Sequence, residues 1–584
     1  MKINVDSNPV PKSLASALTL AGGLILLLSP VPAQSPDGLI SGSVSIDRGS
    51  VRAFRVKAKD TMRRVSYTVY TVKGRYSIYN LPAGHYEVRV MEEGVDSPVQ
   101  ALDLAPGRTA KADFAVKATH AAQERISISG ARAQENYGGV QSKGNATART
   151  VDFDTLYPPG PGRDLLMTYC LGCHGPGGFH QRGGGTESVW RARVERMFRY
   201  KSGILTDAPM IGAGVVTDAE KQTIVKYLAA NFGPGSESRD LSPEPIVRDE
   251  DALSQTVFVQ YELPPADTSA VPSLRNARRS THDVYPSMQS PGVIWVAGLG
   301  TSSVLRVDTR NPDYGGRTQE WFVKDSRVAN AGVHGLVEYD GRVYWTELNG
   351  DHIGELDPKT GEIHRYPSPS SAGEHTPRAD SKGNIWFTDV SAGGKIGRWD
   401  AQTKNIVEYE PVKGANFYGV VVDKKDRVFV AGTTKKTLVM WDPKAQEWSN
   451  LHPPSNVRRV ALDSKDNVWA CSYMGNSVIR VDANTLKMEE YTLPLRYGNP
   501  YAVYVDKEDN VWLENAIYNS FVMLDPKTRK FTYFPFPELS AHTPNMERDA
   551  DGAIWFGMGD PSQLTTLKLR GNLPGRRSRA ANIN

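Results

Sequence analysis

The residues with the clearest chemical signature are two cysteines and a histidine within five positions, Cys170-Leu171-Gly172-Cys173-His174. Two thiols three positions apart on one helical turn can each bond a haem vinyl group, and the next imidazole can then bind the iron. A local disulfide or half of a zinc site uses the same spacing, but zinc needs two further ligands that the sequence does not offer. The motif predicts one covalent c-type haem attached at Cys170 and Cys173, with His174 as proximal ligand.

The segment that carries this motif has the pattern of a small helical unit. A short helix, Leu165 to Tyr169, precedes the cysteines, and Thr217-Asp218-Ala219-Glu220 is a capping box that begins a second, amphipathic helix. Gly233-Pro234 ends that helix. Over residues 151–233 the chain resembles the mono-haem cytochrome c family, and the resemblance implies an all-α domain.

The same resemblance implies a methionine as the sixth ligand of the haem iron. Met210 lies in a loop 17 positions before Tyr227, where the family places its ligand, and Met197, in a helical stretch after Trp190, is the alternative. Ordinary core packing is the other use of either thioether. We favour Met210 because a loop leaves the thioether free to point at the iron, and we expect Trp190 against the haem edge. A haem with both axial positions filled transfers electrons.

Residues 252–570 repeat one pattern of a turn, an aromatic strand core, and a strand that usually ends in aspartate. The last five cores are 43, 40, 43 and 43 positions apart, a period typical of propeller blades. The last repeat lacks its outer strand, and Val257 to Pro264 has the form of that strand, so we expect it to close the ring. The sequence therefore predicts a seven-bladed β-propeller. The seven cores contain Trp295, Trp345, Trp386, Phe429, Trp469, Trp512 and Trp555.

Polar residues recur where each repeat should begin its innermost strand. A channel lined by polar side chains that bond to water explains them without chemistry, and a ring of titratable groups with a function is the alternative. The residues are His282-Asp283 and His334 in the first two repeats, and then His375, Tyr418, Arg458, Tyr501 and Pro544, each eleven positions before an aromatic core.

Two repeats resemble the streptogramin (virginiamycin) B lyase family of seven-bladed propellers. The matching stretches are Val333-His334-Gly335-Leu336 with Val343-Tyr344-Trp345-Thr346-Glu347, and Glu374-His375-Thr376-Pro377 with Ile385-Trp386-Phe387-Thr388-Asp389. The resemblance implies an elimination in which a histidine takes a proton next to a carbonyl and a carboxylate helps to hold Mg²⁺. The residues at those positions are His334 with Glu347 and His375 with Asp389. The match is incomplete, because Thr376-Pro377 replaces Gly-Ile. An elimination also needs no electron acceptor, so it would give the predicted haem no role.

Residues 38–117 consist of short runs that alternate apolar and polar residues, separated by turns such as Asn80-Leu81-Pro82-Ala83-Gly84. This alternation is typical of a small β-sandwich. The pattern G-x-Y-x-I-x-N-L-P-A-G-x-Y-x-V, which begins at Gly74, resembles the carboxypeptidase-regulatory-like domain. The resemblance implies an accessory domain without chemistry of its own.

Residues 1–33 have the pattern of a signal peptide. Lys2 and Lys12 precede an apolar run from Leu14 to Leu28, and Val31-Pro32-Ala33 supplies small residues for cleavage. The run is shorter than the about 20 residues that cross a bilayer, so we expect cleavage and no stable membrane span. A periplasmic or secreted protein follows, which agrees with haem attachment outside the cytoplasm.

The chain of 584 residues is too long for one hydrophobic core. A net charge of +4 without a long basic block argues against nucleic acid as a partner, and three cysteines are too few for a disulfide scaffold. We expect a multidomain fold with a small β-sandwich, an all-α cytochrome c domain and a seven-bladed β-propeller. Residues 118–150 and 234–251 are expected to be linkers, and 571–584 a tail.

Three functions follow from these patterns. The favoured one is an exported c-type haem electron-transfer protein whose propeller docks a redox partner protein or binds a small-molecule substrate. The second is a lyase-like enzyme fused to a cytochrome, and the third is a ligand-binding module. Cys471, in the fifth aromatic core, is expected to be a buried structural thiol.

Overall fold

The computed structural model describes residues 37–92, 94–119, 149–170, 184–199, 216–237, 239–241, 246–269, 271–274, 277, 279–370, 373–390, 394–473, 475–495, 498, 500–515, 518–538, 543–558 and 563–570. The predicted signal peptide and tail, the haem residues Cys173 and His174, and the favoured ligand Met210 lie outside these residues. The backbone of Met197 is described and its side chain is not.

Two sheets form the N-terminal part, and one hydrophobic cluster lies between them. Tyr76 and Ile78 enter this cluster from the first sheet, and Val56 and Val88 enter it from the second. Alternate residues of each strand face the cluster, which is why the sequence alternates in polarity. The first sheet contains Gly38–Ile46, Arg75–Leu81, Val95–Asp96, Thr109–Lys111 and Phe114–Ala118, and the second contains Arg55–Asp60, Val65–Tyr70, Gly84–Val90 and Gln100–Leu104.

Four helices lie in the described part of residues 149–241. They are α1 (Phe153–Leu156), α2 (Pro161–Tyr169), α3 (Glu187–Arg199) and α4 (Asp218–Asn231), and the parallel strands Arg149–Val151 and Arg239–Leu241 join the two ends of the segment. The predicted capping box begins α4. The Thr217 N–H donates to Glu220 Oε2 over 2.7 Å, and the Glu220 N–H donates to Thr217 Oγ1 over 3.2 Å.

Helices α2 and α4 cross at a very short separation. A Cβ at Gly162 would lie 2.3 Å from the Cβ of Tyr227, so a side chain at this position would force the helices apart. The Tyr227 hydroxyl donates to the Pro158 carbonyl over 2.9 Å and ties α4 to the start of α2. Trp190 of α3 donates from Nε1 to the Phe232 carbonyl over 2.9 Å, just beyond α4. The three longer helices therefore pack as one unit.

The rest of the described chain is a β-propeller of seven sheets. The innermost strands of successive blades contact one another, and the first blade contacts the last, so the sheets form a ring. Blades one to three contain Thr281–Pro286, Val293–Gly298, Ser303–Asp308 and Thr318–Phe322; Val333–Tyr339, Arg342–Glu347, His352–Leu356 and Ile363–Pro367; and Glu374–Ala379, Ile385–Asp389, Lys395–Trp399 and Ile406–Tyr409. Blades four to six contain Phe417–Val422, Val428–Gly432, Thr437–Asp442 and Glu447–Asn450; Val460–Leu462, Val468–Ser472, Ser477–Val481 and Met488–Thr492; and Pro500–Val505, Val511–Asn515, Ser520–Asp525 and Lys530–Pro535.

The seventh blade is completed by a strand from the other end of the propeller sequence. Glu547–Arg548, Ile554–Met558 and Gln563–Leu569 are its inner three strands, and Thr256–Glu262 pairs antiparallel with the third. The predicted closing strand is therefore confirmed. A short helix, α5 (Glu250–Ser254), precedes this strand, and a 3₁₀ turn, Pro272–Leu274, follows it.

The closing strand also pairs on its other side with the N-terminal part. Phe258 lies opposite Thr68, and Tyr261 lies opposite Val65, so the second N-terminal sheet and the seventh blade form one continuous sheet of eight strands. The outer edge of the seventh blade is thereby covered. None of the described helices is both long enough and apolar enough to cross a membrane.

Candidate functional site

The described part of the haem motif is its first cysteine. Cys170 ends α2, and its N–H donates to the Leu166 carbonyl over 2.9 Å. The side chain is half-buried at the border of the hydrophobic cluster that contains Leu166 and Leu228. A haem presents mostly apolar surface, so a thiol at the rim of an apolar cluster fits the group that the motif implies.

Trp190 is almost fully buried within the same helical unit. Its indole N–H donates a hydrogen bond to the Phe232 carbonyl, and the Arg193 guanidinium lies 4.7 Å from the ring centroid. The described contacts therefore give Trp190 a packing role between α3 and the end of α4. Contact with a haem edge remains a prediction.

A second group of chemically capable residues lies at the centre of the propeller. Five inner strands begin with a β-bulge, an irregularity that leaves two residues outside the pairing ladder and redirects their side chains. The bulges lie between Thr281 and Val284, Val333 and Leu336, Glu374 and Pro377, Phe417 and Val420, and Pro500 and Val503. The residues in the bulges include His282, Asp283, His334, His375, Tyr418 and Tyr501. In these five blades the channel positions predicted from the repeat thus coincide with the bulges.

The rings at these positions contact one another from one blade to the next, with tilts of 47°, 42° and 49° between successive ring planes. Ring centroids are 4.0 Å apart between His282 and His334, 3.9 Å between His334 and His375, and 4.0 Å between His375 and Tyr418. Burial, followed by repulsion from neighbouring imidazoles, holds the pKa of His334 and of His375 well below the usual value. Both imidazoles are therefore neutral at pH 7.

A hydrogen bond assigns the proton of one of these imidazoles. Nδ1 of His334 lies 3.2 Å from the His375 carbonyl and donates to it, because a carbonyl can only accept. Nδ1 of His375 lies 2.9 Å from the hydroxyl of Thr376, and that hydroxyl accepts from Arg459 over 3.1 Å. The Thr376 hydroxyl therefore connects His375 to Arg459.

Asp283 and Arg459 form a buried charge pair beside the histidines. Their side chains are 1% and 4% exposed, and Arg459 Nη2 lies 3.8 Å from Asp283 Oδ1. Burial opposes ionisation of Asp283, but the Arg459 guanidinium and His282 outweigh it and hold the pKa of the carboxyl well below its usual range. Asp283 is thus a carboxylate at neutral pH.

The other side of the channel is cationic and aromatic. The hydroxyls of Tyr418 and Tyr501 lie 2.6 Å apart, and Arg458 Nη2 donates to Tyr418 over 2.9 Å. The Arg458 guanidinium lies 3.9 Å from the ring centroid of Tyr501 and 4.2 Å from that of Tyr418. Pro544, at the corresponding position of the seventh blade, adds no polar group.

The carboxylates implied by the lyase resemblance belong to other contacts. Glu347 accepts from Arg365 Nε over 2.8 Å and from Arg365 Nη2 over 2.5 Å, and Trp345 Nε1 donates to it over 3.2 Å. A guanidinium thus occupies both oxygens of Glu347, which does not fit Mg²⁺ binding there. His334 is held instead against His282 and His375.

Asp389 lies opposite Glu374 in the ladder of the third blade. Burial and then the Asp389 charge raise the pKa of Glu374 well above its usual value. Glu374 therefore holds its proton more tightly than an exposed glutamate does. His375, which the resemblance pairs with Asp389, has its Nδ1 bonded to Thr376.

Three central residues were not singled out from the sequence. Arg459 follows the predicted Arg458 directly, and the two consecutive arginines at a strand start are the signal that points to it. Arg378 of the third blade donates to Glu547 of the seventh over 2.5 Å, across the channel. No local pattern connects these two residues, because 169 positions separate them.

Comparisons with known proteins give structural similarities alone. No protein-family model matches the sequence, and no curated protein matches it. Virginiamycin B lyase from Staphylococcus aureus is 19% identical, with a TM-score of 0.46 over 54% of this chain and 99% of that chain. The WD40 β-propeller domain of Doa1 is 10% identical, with a TM-score of 0.40 over 52% and 97%. YCF48 bound to D1 peptide is 10% identical, with a TM-score of 0.41 over 55% and 96%. One fold supports many activities, so the chemistry of this chain has to be argued from its own residues.

Proposed function

We propose that this chain is an exported c-type haem electron-transfer protein whose propeller binds the small-molecule substrate or redox partner protein that exchanges electrons with the haem. The observation that carries the proposal is the Cys170-Leu171-Gly172-Cys173-His174 motif at the end of a helix that packs tightly on α4. The signal-peptide pattern of residues 1–33 supports export, which haem attachment by thioethers accompanies.

In this proposal each residue of the motif has a separate task. Cys170 and Cys173 would hold the haem covalently, His174 would bind the iron, and Met210 or Met197 would supply the sixth ligand. When bound, the haem supplies one-electron oxidation and reduction. The close crossing of α2 on α4 fixes the position of Cys170, because Gly162 leaves no room for the helices to slide.

The packing of the helical unit supports a route between the propeller and the haem. One hydrophobic cluster contains Trp190 and Leu228 of the helices together with Tyr491 and Leu513 of blades five and six. A unit packed against the blades keeps its distance from the channel constant, as electron transfer between fixed sites requires. A unit connected to the propeller only by linkers would not keep this distance constant.

The test is to express the full chain with its export signal in a host that attaches haem. We expect one covalent haem in the mass spectrum and the absorption spectrum of a low-spin haem. The double variant C170A/C173A should lose the haem, and C471S should keep it because Cys471 lies in the propeller. A wild-type chain that is exported without covalent haem would contradict the proposal.

The axial ligand is tested in the same material. M210A should convert the spectrum to that of a haem without methionine ligation, and M197A should leave it unchanged. The reverse result would identify Met197 as the sixth ligand of the haem iron. Retention of the methionine signature in both variants would contradict a methionine ligand from either position.

Elimination chemistry in the propeller is the second candidate, and the contact between His334 and His375 in the channel favours it. Its Mg²⁺ requirement is less well supported, since Arg365 holds both oxygens of Glu347. Linearisation of a streptogramin B antibiotic by the purified protein, lost in H334A/H375A, would establish this activity. Reduction of the haem by a substrate would instead support electron transfer.

A further inference from the structure

Three potential metal ligands meet at the first two bulges of the propeller. Ligand atoms of His282, Asp283 and His334 all lie within 4.8 Å of one another, and all three residues are buried. Two imidazoles and one carboxylate form a donor set that suits divalent first-row transition metals. The set also differs from Glu347 and Asp389, where the lyase resemblance places Mg²⁺.

Part of the hydrogen-bonding capacity of this cluster is unused. Within the part of the chain that the structure describes, neither oxygen of Asp283 makes a hydrogen bond, and Nδ1 of His282 makes none. Asp283 is 1% exposed, and Arg459 compensates its charge from 3.8 Å without a hydrogen bond, so a further group on the carboxylate would lower the cost of burying it. Nδ1 of His282 lies 3.0 Å from Asp283 Oδ1. Ligand atoms at about 2.1 Å from one ion lie about 3.0–3.4 Å from each other, so this separation fits a shared ion.

The third ligand is already oriented for metal binding. Nδ1 of His334 donates to the backbone carbonyl of His375 over 3.2 Å. This contact leaves the lone pair on Nε2 of His334 for a metal, and it is the usual means by which a protein fixes a metal-binding imidazole.

Arg459 leaves room for a cation despite its positive charge. Its Nη1 is held by Thr376 over 3.1 Å, while Nη2 lies 3.8 Å from Asp283 and makes no hydrogen bond to any described residue. The guanidinium therefore compensates the carboxylate without occupying its lone pairs. A water or anion bound to a divalent ion could accept from the remaining N–H groups of Arg459.

A second cluster of similar composition provides a contrast. Asp325, Glu347 and His352 also lie within 4.8 Å, but Arg365 donates to both carboxylates over 2.5–2.8 Å, and Arg327 donates to Asp325 over 2.9 Å. Two guanidinium groups thus take the place that a cation would need. Of these two described clusters, the one at the bulges is the one whose buried ligand atoms lack hydrogen bonds.

We propose that His282, Asp283 and His334 bind one divalent first-row transition metal ion at the centre of the propeller, a site that goes beyond the proposed haem function. The probe is zinc, because haem contributes only iron to a metal analysis. Full-length protein is dialysed against buffered Zn²⁺, and zinc and iron per chain are counted by mass spectrometry. We expect one zinc per chain in the wild type.

Two ligand variants and one control variant decide the assignment. D283N, which keeps the shape of the side chain, and H334A should each weaken zinc binding at least about 10-fold, the loss that changes outside the ligand shell already cause. H352A, in the second cluster, should bind zinc like the wild type. Thermal unfolding of each variant shows whether it is folded. If H334A is not folded, the comparison with the wild type rests on D283N.

A measurement on the wild type tests the ligands without substitution. Cu²⁺ bound at the site should give an electron paramagnetic resonance spectrum with hyperfine splitting from two imidazole nitrogens. A wild type that binds no zinc, or zinc binding that survives in D283N and H334A, would overturn the metal site. A protein that lacks haem but binds zinc at this site would contradict only the proposed electron transfer.

Discussion

Two residues at the start of an inner strand determine what a blade contributes to the channel. In the first blade these are His282 and Asp283, and in the third they are His375 and Thr376. A regular strand would point one of the two into the gap between blades, since side chains alternate between faces. The bulge takes both out of the ladder, and in the third blade the Thr376 hydroxyl then forms a hydrogen bond with Nδ1 of His375.

Cys471 lies next to this ring and is chemically protected. Its thiol accepts from the Arg459 N–H over 3.2 Å and donates to the Tyr501 carbonyl over 3.3 Å, and burial raises the pKa of the thiol to about 11. Only the thiolate reacts readily with alkylating reagents. We therefore expect iodoacetamide at mildly alkaline pH to leave Cys471 unmodified in the native protein and to modify it in urea.

Peptide mapping by mass spectrometry checks this prediction, because it separates Cys471 from Cys170 and Cys173. The urea-treated sample shows that the peptide can be detected when it is modified. Rapid labelling of Cys471 in the folded protein would mean that this blade opens under native conditions.

Among the elements, the turn before the aromatic strand explains the regularity of the repeat. In the fifth blade Asp463 accepts from the Asn467 N–H over 2.9 Å and from Trp469 Nε1 over 3.1 Å. Blades three, six and seven repeat the aspartate-to-tryptophan bond over 3.0, 2.8 and 2.7 Å. Blade four has phenylalanine at this position, and there Arg427 donates to Asp423 over 2.7 Å. In blades three to seven one side-chain bond thus joins this turn to the strand that follows it.

A buried ion cluster joins the N-terminal sheets to the segment before the propeller. Glu92 accepts from Arg55 over 3.0 Å and from Arg248 over 2.8 Å. Burial alone would raise the pKa of Glu92, but the two guanidinium groups lower it to about 2 from an ordinary 4.5. A lowered folded-state pKa gives stability that is complete above pH 4.5 and is lost as the pH falls towards 2. The difference corresponds to about 3 kcal/mol of unfolding free energy.

We expect the unfolding free energy of the wild type, measured in urea at about pH 6, 4 and 3, to fall more steeply than that of E92Q. Glutamine keeps the shape of the side chain and cannot titrate, so E92Q should be less stable at pH 6 and converge on the wild type in acid. Equal pH dependence in the two proteins would contradict this account of Glu92.

At the scale of the whole molecule, local repetition made the propeller predictable. The spacing of Trp386 and its counterparts and the strand-like pattern near Phe258 both appear within single stretches of sequence. The pairing of Phe258 with Thr68 cannot be predicted from such a stretch, because strand edges pair through backbone groups that are the same for almost all residue types. The same applies to the site: the repeat predicted His334 in the channel, whereas the bond from Arg365 to Glu347 depends on how the outer strand of the second blade lies.

The eight-stranded sheet predicts that the N-terminal part stabilises the propeller and is not merely attached to it. Tyr70 is 3% exposed and lies edge-on to Phe258 at 6.4 Å, and Val257 packs against the N-terminal cluster. Deleting residues 37–118 would expose the edge of Thr256–Glu262 and these apolar groups. A loss of roughly 3 kcal/mol would lower the unfolding temperature of a propeller of this size by about 4 °C, and the open edge should cause association.

Thermal unfolding and size-exclusion chromatography of the deletion variant test both effects. V257K in the deletion variant should restore the monomer, because a lysine on an exposed edge strand opposes pairing with a second chain. In the full-length protein V257K should instead destabilise, since the lysine would enter the N-terminal cluster. A deletion variant that stays monomeric and unfolds at the wild-type temperature would show that the continuous sheet adds nothing to stability.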